Sequence, residues 1–252
     1  MSTRPRGPRA AEDWFEDWFG EEYLQLYPHR DDSEAERAVE LIVGRLRLPA
    51  GSPALDLACG AGRHVAHLRD AGLRAFGLDL SAELLEVARD DGLPTVRSDM
   101  RQIPVATGRL ALVTSFFTSF GYLPDAEDDE RVVAEVHRVL APGGYFSVDF
   151  LNADRVRARL RAHDEVELGS RRVVQTRELV EGGTVVEKRI EIFDAGRARP
   201  RVFHERVRLY SADDLARLME RCRLEPVATF GDYAGGPLAP EAPRAIVIGR
   251  AR

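Results

Sequence analysis

Residues 55 to 65, Leu55-Asp56-Leu57-Ala58-Cys59-Gly60-Ala61-Gly62-Arg63-His64-Val65, read as a short apolar strand that ends in a glycine turn and opens a helix. Gly60 and Gly62 let the backbone turn tightly and approach a ligand, and the unpaired N–H groups of the helix that follows favour an anionic group. Nineteen residues beyond Gly60, Asp79 closes a second apolar run, Ala75-Phe76-Gly77-Leu78-Asp79-Leu80. An acid at the tip of the second strand is where a doubly wound fold hydrogen-bonds a ribose diol. Strand, glycine turn, helix, strand and acid in this order predict a nucleotide-type cofactor held at a helix start.

Other cofactor chemistries lack their residues. A dinucleotide fingerprint needs a third glycine, and that place holds Val65. Lysine occurs once, as Lys188 in Val186-Glu187-Lys188-Arg189, a setting unlike the P-loop, the kinase strand lysine or a Schiff-base lysine. Thr184 stands four residues before it, where a short-chain dehydrogenase would carry tyrosine. Cys59 and Cys222 are far apart and belong to no CxxC pair, so neither a disulfide framework nor a zinc site is expected, and a reducing cytoplasm fits. The net charge of -6 gives no general attraction to nucleic acid or anionic lipid, and no apolar run is long enough to span a bilayer.

The elements that must position the glycine turn follow a βα rhythm. Residues 1–10 read as a disordered tail rich in Arg, Pro and Gly, and 11–48 as an N-terminal helical and aromatic segment. Trp14 and Trp18, with Phe15 and Phe19, recur at helical spacing in the latter, which is either a helix docked on the core or a lid over the site. Ser33-Glu34-Ala35-Glu36 has capping-box form and starts a helix through Arg47. Helices are further expected from Gly62 to about Ala71, from Ala82 to Asp90 behind a Ser81 cap, and from Asp128 to Leu140. Strands are expected at 94–97, at 110–115 and, after a Pro142-Gly143-Gly144 turn, at 145–150. Such a repeat specifies a parallel sheet covered by helices. Residues 160–210 change to short alternating runs and predict an antiparallel β insertion of three or four strands, placed to cover a substrate. A Ser211-capped helix and two terminal runs, Leu224 to Phe230 and Arg244 to Gly249, return to the main sheet. The main domain is therefore assigned to 49–152 and 211–252.

These residues resemble the class I S-adenosylmethionine-dependent methyltransferases of the small-molecule type, over roughly Leu55 to Phe150. The resemblance implies a Rossmann-like α/β fold with a seven-stranded sheet, helices on both faces and the small antiparallel insertion. Asp56, Ala58, Gly60 and Gly62 look like the motif that holds the methionine portion of S-adenosyl-L-methionine. Asp79, followed by Leu80, resembles the ribose-binding acid, Asp99 and Met100 the adenine-binding turn, and Ser115 with Phe116 the fourth-strand motif beside the transferred methyl. Ala58 departs from a frequent glycine and Ala111 from a frequent acid.

Methyl transfer from a sulfonium is an in-line displacement in which charge diminishes, so alignment matters more than acid/base groups. No histidine is singled out as a base. His64 is expected to meet solvent or the carboxylate region of the cofactor, and His137 to be solvated. The stretch Ser115-Phe116-Phe117-Thr118-Ser119-Phe120-Gly121-Tyr122 carries neither an Asn/Asp-Pro-Pro-Tyr motif nor a Pro-Cys nucleophile, which excludes base methylation of nucleic acid. Candidate acceptor contacts are Tyr23, Tyr27, Phe120, Tyr122 and, in the glycine-rich loop 231–237, Asp232 and Tyr233. Arg171, Arg172, Glu187 and Arg189 read as a cross-strand charge ladder. The expected activity is transfer of a methyl group to an O or N atom of a small molecule, without a metal, nucleic acid or membrane partner. A non-catalytic S-adenosylmethionine-binding protein is the alternative.

Overall fold

A computed structural model describes residues 18–26 and 32–252; the 1–10 tail, Trp14, Phe15 and Tyr27 lie outside them. The first part of the chain forms α1 (Glu21–Leu26), α2 (Asp32–Leu46), β1 (Pro53–Leu57), α3 (Arg63–Asp70), β2 (Arg74–Asp79), α4 (Ala82–Asp90) and β3 (Thr95–Arg97). Then come β4 (Leu110–Ser115), α5 (Ala126–Val139), β5 (Leu140–Leu151), α6 (Ala153–Arg159), and the strands β6 (His163–Leu168), β7 (Arg171–Val180), β8 (Val185–Phe193) and β9 (Arg201–Arg208). The chain closes with α7 (Ala212–Arg221), β10 (Leu224–Phe230) and β11 (Arg244–Ala251).

Seven strands make one sheet in the order β3-β2-β1-β4-β5-β11-β10. Parallel pairing joins β3 to β2, β2 to β1, β1 to β4 and β4 to β5, while β11 runs antiparallel to both β5 and β10. Side chains alternate between its two covered faces, as a strand period of two requires. Ala54, Leu112, Ile246 and Ile248 pack with α2, α3 and α4, whereas Leu55, Leu57, Val113 and Val247 pack with α5 and α7. The order in which successive strands are laid down reverses between β1 and β4, which opens a crevice at the carboxyl ends of these parallel strands.

The expected insertion is a separate four-stranded antiparallel sheet, β6-β7-β8-β9. Its apolar patch, Val173, Ile190 and Ile192, is covered by Trp18 and Leu26, so the described residues 18–26 pack on this sheet, whereas α2 packs on the main one. Phe203 tilts against the Trp18 ring at 4.9 Å, and the indole N–H donates to Glu205 at 2.6 Å. A second tie reaches the main domain: Tyr210 donates to Asp129 on α5 at 2.7 Å, and the Arg208 guanidinium pairs with the same buried carboxylate.

Local signals account for most boundaries. Ser81 caps α4 by accepting from Leu84 N, and Ser211 with Asp214 forms a reciprocal capping box on α7. Three features differ from the expectation. α2 begins at Asp32, one residue before Ser33, which places Ser33 in its first turn. The Pro142-Gly143-Gly144 turn lies inside β5 as an irregularity, since Leu110 pairs Leu140 but Leu112 pairs Tyr145. α6 had no apolar periodicity to reveal it, and it starts because the Asn152 side chain accepts from Asp154 N.

Gly121 joins the loop after β4 to the insertion. Its φ is +81°, its carbonyl accepts from Arg208 N at 2.8 Å, and a Cβ there would lie 2.6 Å from the Arg208 carbonyl oxygen. Gly121→Ala is expected to destabilise the protein by about 1–3 kcal/mol, read as a lowered denaturant midpoint.

Candidate active site

The end of β1 makes a tight turn that its own residue types alone would not favour. Ala58 has φ +51°, Gly60 +55° and Gly62 +85° before α3 begins at Arg63. A left-handed alanine carries a Cβ penalty that glycine avoids, which is a physical reason for glycine to be frequent at the position of Ala58. Hydrogen bonds hold the turn: Cys59 N donates to Leu78 O at 3.0 Å, and Gly60 N donates to Asp79 Oδ2 at 2.8 Å. Ser81 N donates to the other Asp79 oxygen, also at 2.8 Å. Asp79 thus aligns the tips of β1 and β2, and each of its oxygens keeps a lone pair for a further donor.

Around these tips lies a cavity of about 620 Å³, within the range of small-molecule sites. Asp56, Ala58, Gly60, Asp79, Leu80, Asp99, Met100 and Phe116 all line it, as do Tyr23 and Tyr122. Five other candidates stand behind or away from its wall. Gly62 supplies the left-handed turn, and a Cβ there would lie 2.6 Å from Leu93 Cδ1. Ser115 is buried within β4, and Phe120 packs against Tyr210 in the core. Asp232 accepts from Ala234 N and Gly236 N to shape its own turn, and the Tyr233 hydroxyl donates to Asp149 at 2.7 Å. Both side chains of this loop are thus engaged in structural hydrogen bonds and do not line the cavity.

Electrostatics divide the cavity into distinct regions. Asp56 is 1% exposed and accepts from the Thr114 hydroxyl at 2.9 Å. Burial, only partly offset by that bond, pushes its carboxyl up to about 7. Asp79 is also pushed up by burial, against the two N–H bonds it receives. Asp99 behaves oppositely: burial raises it, but bonds from Arg101 prevail and hold it below the usual carboxylate range. Arg101 itself is anchored on Asp128 at 2.8 Å.

Aromatic rings form the remaining wall. Phe116 stacks on His64 with centroids 4.4 Å apart, so His64 is buried under a ring, and its solvated reading is corrected. Phe117 lies beneath the Arg63 guanidinium at 4.8 Å. Phe117 and Thr118 have φ of +55° and +67°, uncommon for an aromatic and a β-branched residue. Asp149 enforces them, because its carboxylate accepts from Phe117 N at 2.9 Å and its carbonyl from Thr118 N at 2.9 Å. Arg244 Nε completes the carboxylate at 2.7 Å in a buried pair.

Residues 54–144 match the family model of a methyltransferase domain. That stretch is a methyltransferase domain, and the whole chain has the fold of the class I S-adenosylmethionine-dependent methyltransferases. Among similar curated proteins is a dTDP-3-amino-3,4,6-trideoxy-alpha-D-glucopyranose N,N-dimethyltransferase of Streptomyces venezuelae, 35% identical over 46% of this chain and 49% of that protein. The chain spans about half the length of the curated relatives it matches. Whole-chain likeness comes from solved structures. The CcbJ methyltransferase of Streptomyces caelestis covers 93% of this chain and 98% of its own, with a TM-score of 0.78 and 19% identity. A sugar N-methyltransferase of Streptoalloteichus sp ATCC 53650 covers 100% and 98%, with a TM-score of 0.71 and 25% identity.

Several residues lining this methyltransferase cavity escaped the sequence reading. Arg63 and Ser81 adjoin recognised motifs and could have been found by extending them one turn into α3 and α4. Phe117 and Ser119 could not, because the loop geometry that turns them inward depends on Asp149. Phe19 and Leu24 reach the cavity from the chain's start through contacts with the insertion. Among the described residues no cluster of metal-ligating side chains occurs, and no helix is long and apolar enough to cross a membrane.

The raised Asp56 pKa sets a pH dependence of folding. Between its ordinary 3.8 and about 7 the folded state keeps a proton that the unfolded state releases, so stability declines as pH rises through that window. Comparing denaturant midpoints at pH 5 and pH 8 should show a smaller decline in Asp56→Asn than in the parent protein. Arg244→Met leaves the buried Asp149 carboxylate without its counter-charge and should destabilise by about 3–5 kcal/mol in the same assay.

Proposed function

We propose that the protein transfers the methyl group of S-adenosylmethionine to a nitrogen or oxygen of a small molecule, with amino sugars as the favoured acceptor class. The observation that carries this reading is the Asp79 carboxylate, fixed by Gly60 N and Ser81 N at the mouth of the β1/β4 crevice. Each oxygen has spare acceptor capacity for a ribose hydroxyl, as a diol requires. Asp56, Ala58 and Gly60 would hold the methionine end, Leu80, Asp99 and Met100 the adenine, and Phe116 the methyl edge, with Gly62 and Ser115 supporting from behind.

When bound, the donor supplies a methyl on a sulfonium that leaves as a neutral thioether: the carbon–sulfur bond breaks as the bond to the acceptor forms. The chain's own residues have simpler tasks. Faces of Phe116, Phe117 and Tyr122 favour a cationic centre and exclude water from it. Asp99, held ionised by Arg101, accepts hydrogen bonds from an amino group. Asp56, neutral below about pH 7, becomes a carboxylate facing an ammonium once deprotonated. An uncharged amine attacks through its own lone pair, so alignment supplies most of the rate.

Support for amino sugars comes from the Streptomyces venezuelae and Streptoalloteichus proteins, whose names specify sugar nitrogen as the methyl acceptor. Isothermal calorimetry with S-adenosylhomocysteine tests the donor half: Asp79→Ala is expected to weaken binding at least a hundredfold while the circular dichroism spectrum stays unchanged. Unaltered affinity would overturn the assignment. Turnover of a nucleotide-linked amino sugar with labelled donor tests the acceptor half, and donor binding with no turnover on any amine or alcohol would favour a non-catalytic binder.

A further inference from the structure

Lys188, the chain's single lysine, has no task in the donor cavity. It lies instead in a second cavity of about 380 Å³ over the polar end of the insertion sheet. Register explains why. Arg177, Lys188 and Glu205 are directly opposite one another on β7, β8 and β9 and so share one face, the same face whose other end carries Ile190 beneath Trp18. Tyr23 and Tyr122 line both cavities, which makes the two spaces neighbours across a pair of phenol rings.

The lining carries three cations, Arg161, Arg177 and Lys188, and three carboxylates, Asp164, Glu165 and Glu205, and the ion pairs decide which group is left over. Arg177 is matched by Asp164 at 2.7 Å, and Lys188 by Glu205 at 3.2 Å, where Glu205 is also fixed by the Trp18 N–H. Glu165 lines the cavity but is neutralised by Arg172, a residue outside it, at 3.3 Å. Arg161 remains, an exposed guanidinium that makes no ion pair among the described residues. A cavity whose carboxylates are all engaged, and which presents a spare guanidinium, is electrostatically suited to an anion.

We propose that this cavity is the acceptor's anion subsite: it takes a phosphate or carboxylate group of the acceptor at Arg161, with the nucleophilic end directed past Tyr23 and Tyr122 toward the donor. The proposal rests on the methyl-transfer reading, and it adds that the acceptor's negative charge is held by the insertion sheet at Arg161, apart from the donor cavity.

Calorimetry with glucose 1-phosphate, glucuronate and glucose, each with and without saturating S-adenosylhomocysteine, tests it. At least one anion is expected to bind at least tenfold more tightly than glucose, and the preferred anion distinguishes a phosphoryl from a carboxyl source. Arg161→Glu should weaken that binding at least tenfold, Arg161→Lys should recover part of it, and S-adenosylhomocysteine affinity and thermal midpoint should stay within error of the parent. Equal binding of glucose and the anions, no anion binding, or anion binding that survives Arg161→Glu would each overturn the subsite. Failure of S-adenosylhomocysteine to bind the parent protein would overturn the methyl-transfer reading instead, while the ligand-free arms still decide whether the anion site exists.

Discussion

The buried carboxylate of Asp149 is the constraint on which the active-site wall depends. It sits on β5, receives the Arg244 guanidinium from β11, the Tyr233 hydroxyl from the last loop and the Phe117 N–H from the loop after β4. A lone carboxylate at 1% exposure would be prohibitively unfavourable, and one missing partner would leave that penalty largely uncompensated. With all partners present, two residues whose side chains disfavour left-handed backbone are held there, and the aromatic wall faces inward. The Thr118 hydroxyl closes the arrangement by accepting from Leu151 N at 3.1 Å and Arg244 at 3.3 Å.

Much of the fold was legible in the sequence because it rests on local rules. The capped α4 and α7, the apolar run that opens β4 and the glycine turn at 60–62 combine periodicity, caps and turn residues that agree with one another. The part of the cavity at the strand tips was legible for the same reason, since it is made of motif positions at the ends of consecutive strands. What was not legible depends on partners distant in sequence. Tyr233 looks like an acceptor contact until Asp149 is seen beside it, and Phe120 looks like a pocket aromatic until the core closes around it. Asn152 starts a short helix while its amide also donates to the carbonyls of Ala239 and Ala242, a coupling with no local trace.

The insertion sheet has a dual character. One end of its inner face is apolar and is sealed by Trp18; the other end is a row of paired charges. Its attachment is apolar through Val186 and Val207, which join the main core, and polar through Asp129, whose carboxyl burial pushes up to about 6 against bonds from Tyr210 and Arg208. Near neutrality this group is ionised and paired, so the sheet is held to α5 by a charge-assisted contact in addition to the Gly121 backbone bond.

The antiparallel direction of β11 has a temporal consequence. Because it runs against β5, its first residue, Arg244, arrives at the catalytic edge of the sheet, where a parallel strand would have delivered its last. The loop it secures lies 126 positions earlier at Thr118. A nascent chain can therefore assemble β1 to β5 on the ribosome yet cannot set the aromatic wall until β11 has been made. The wall therefore waits on a contact of very long sequence separation, and any folding intermediate lacking that strand would have a loosely formed aromatic wall.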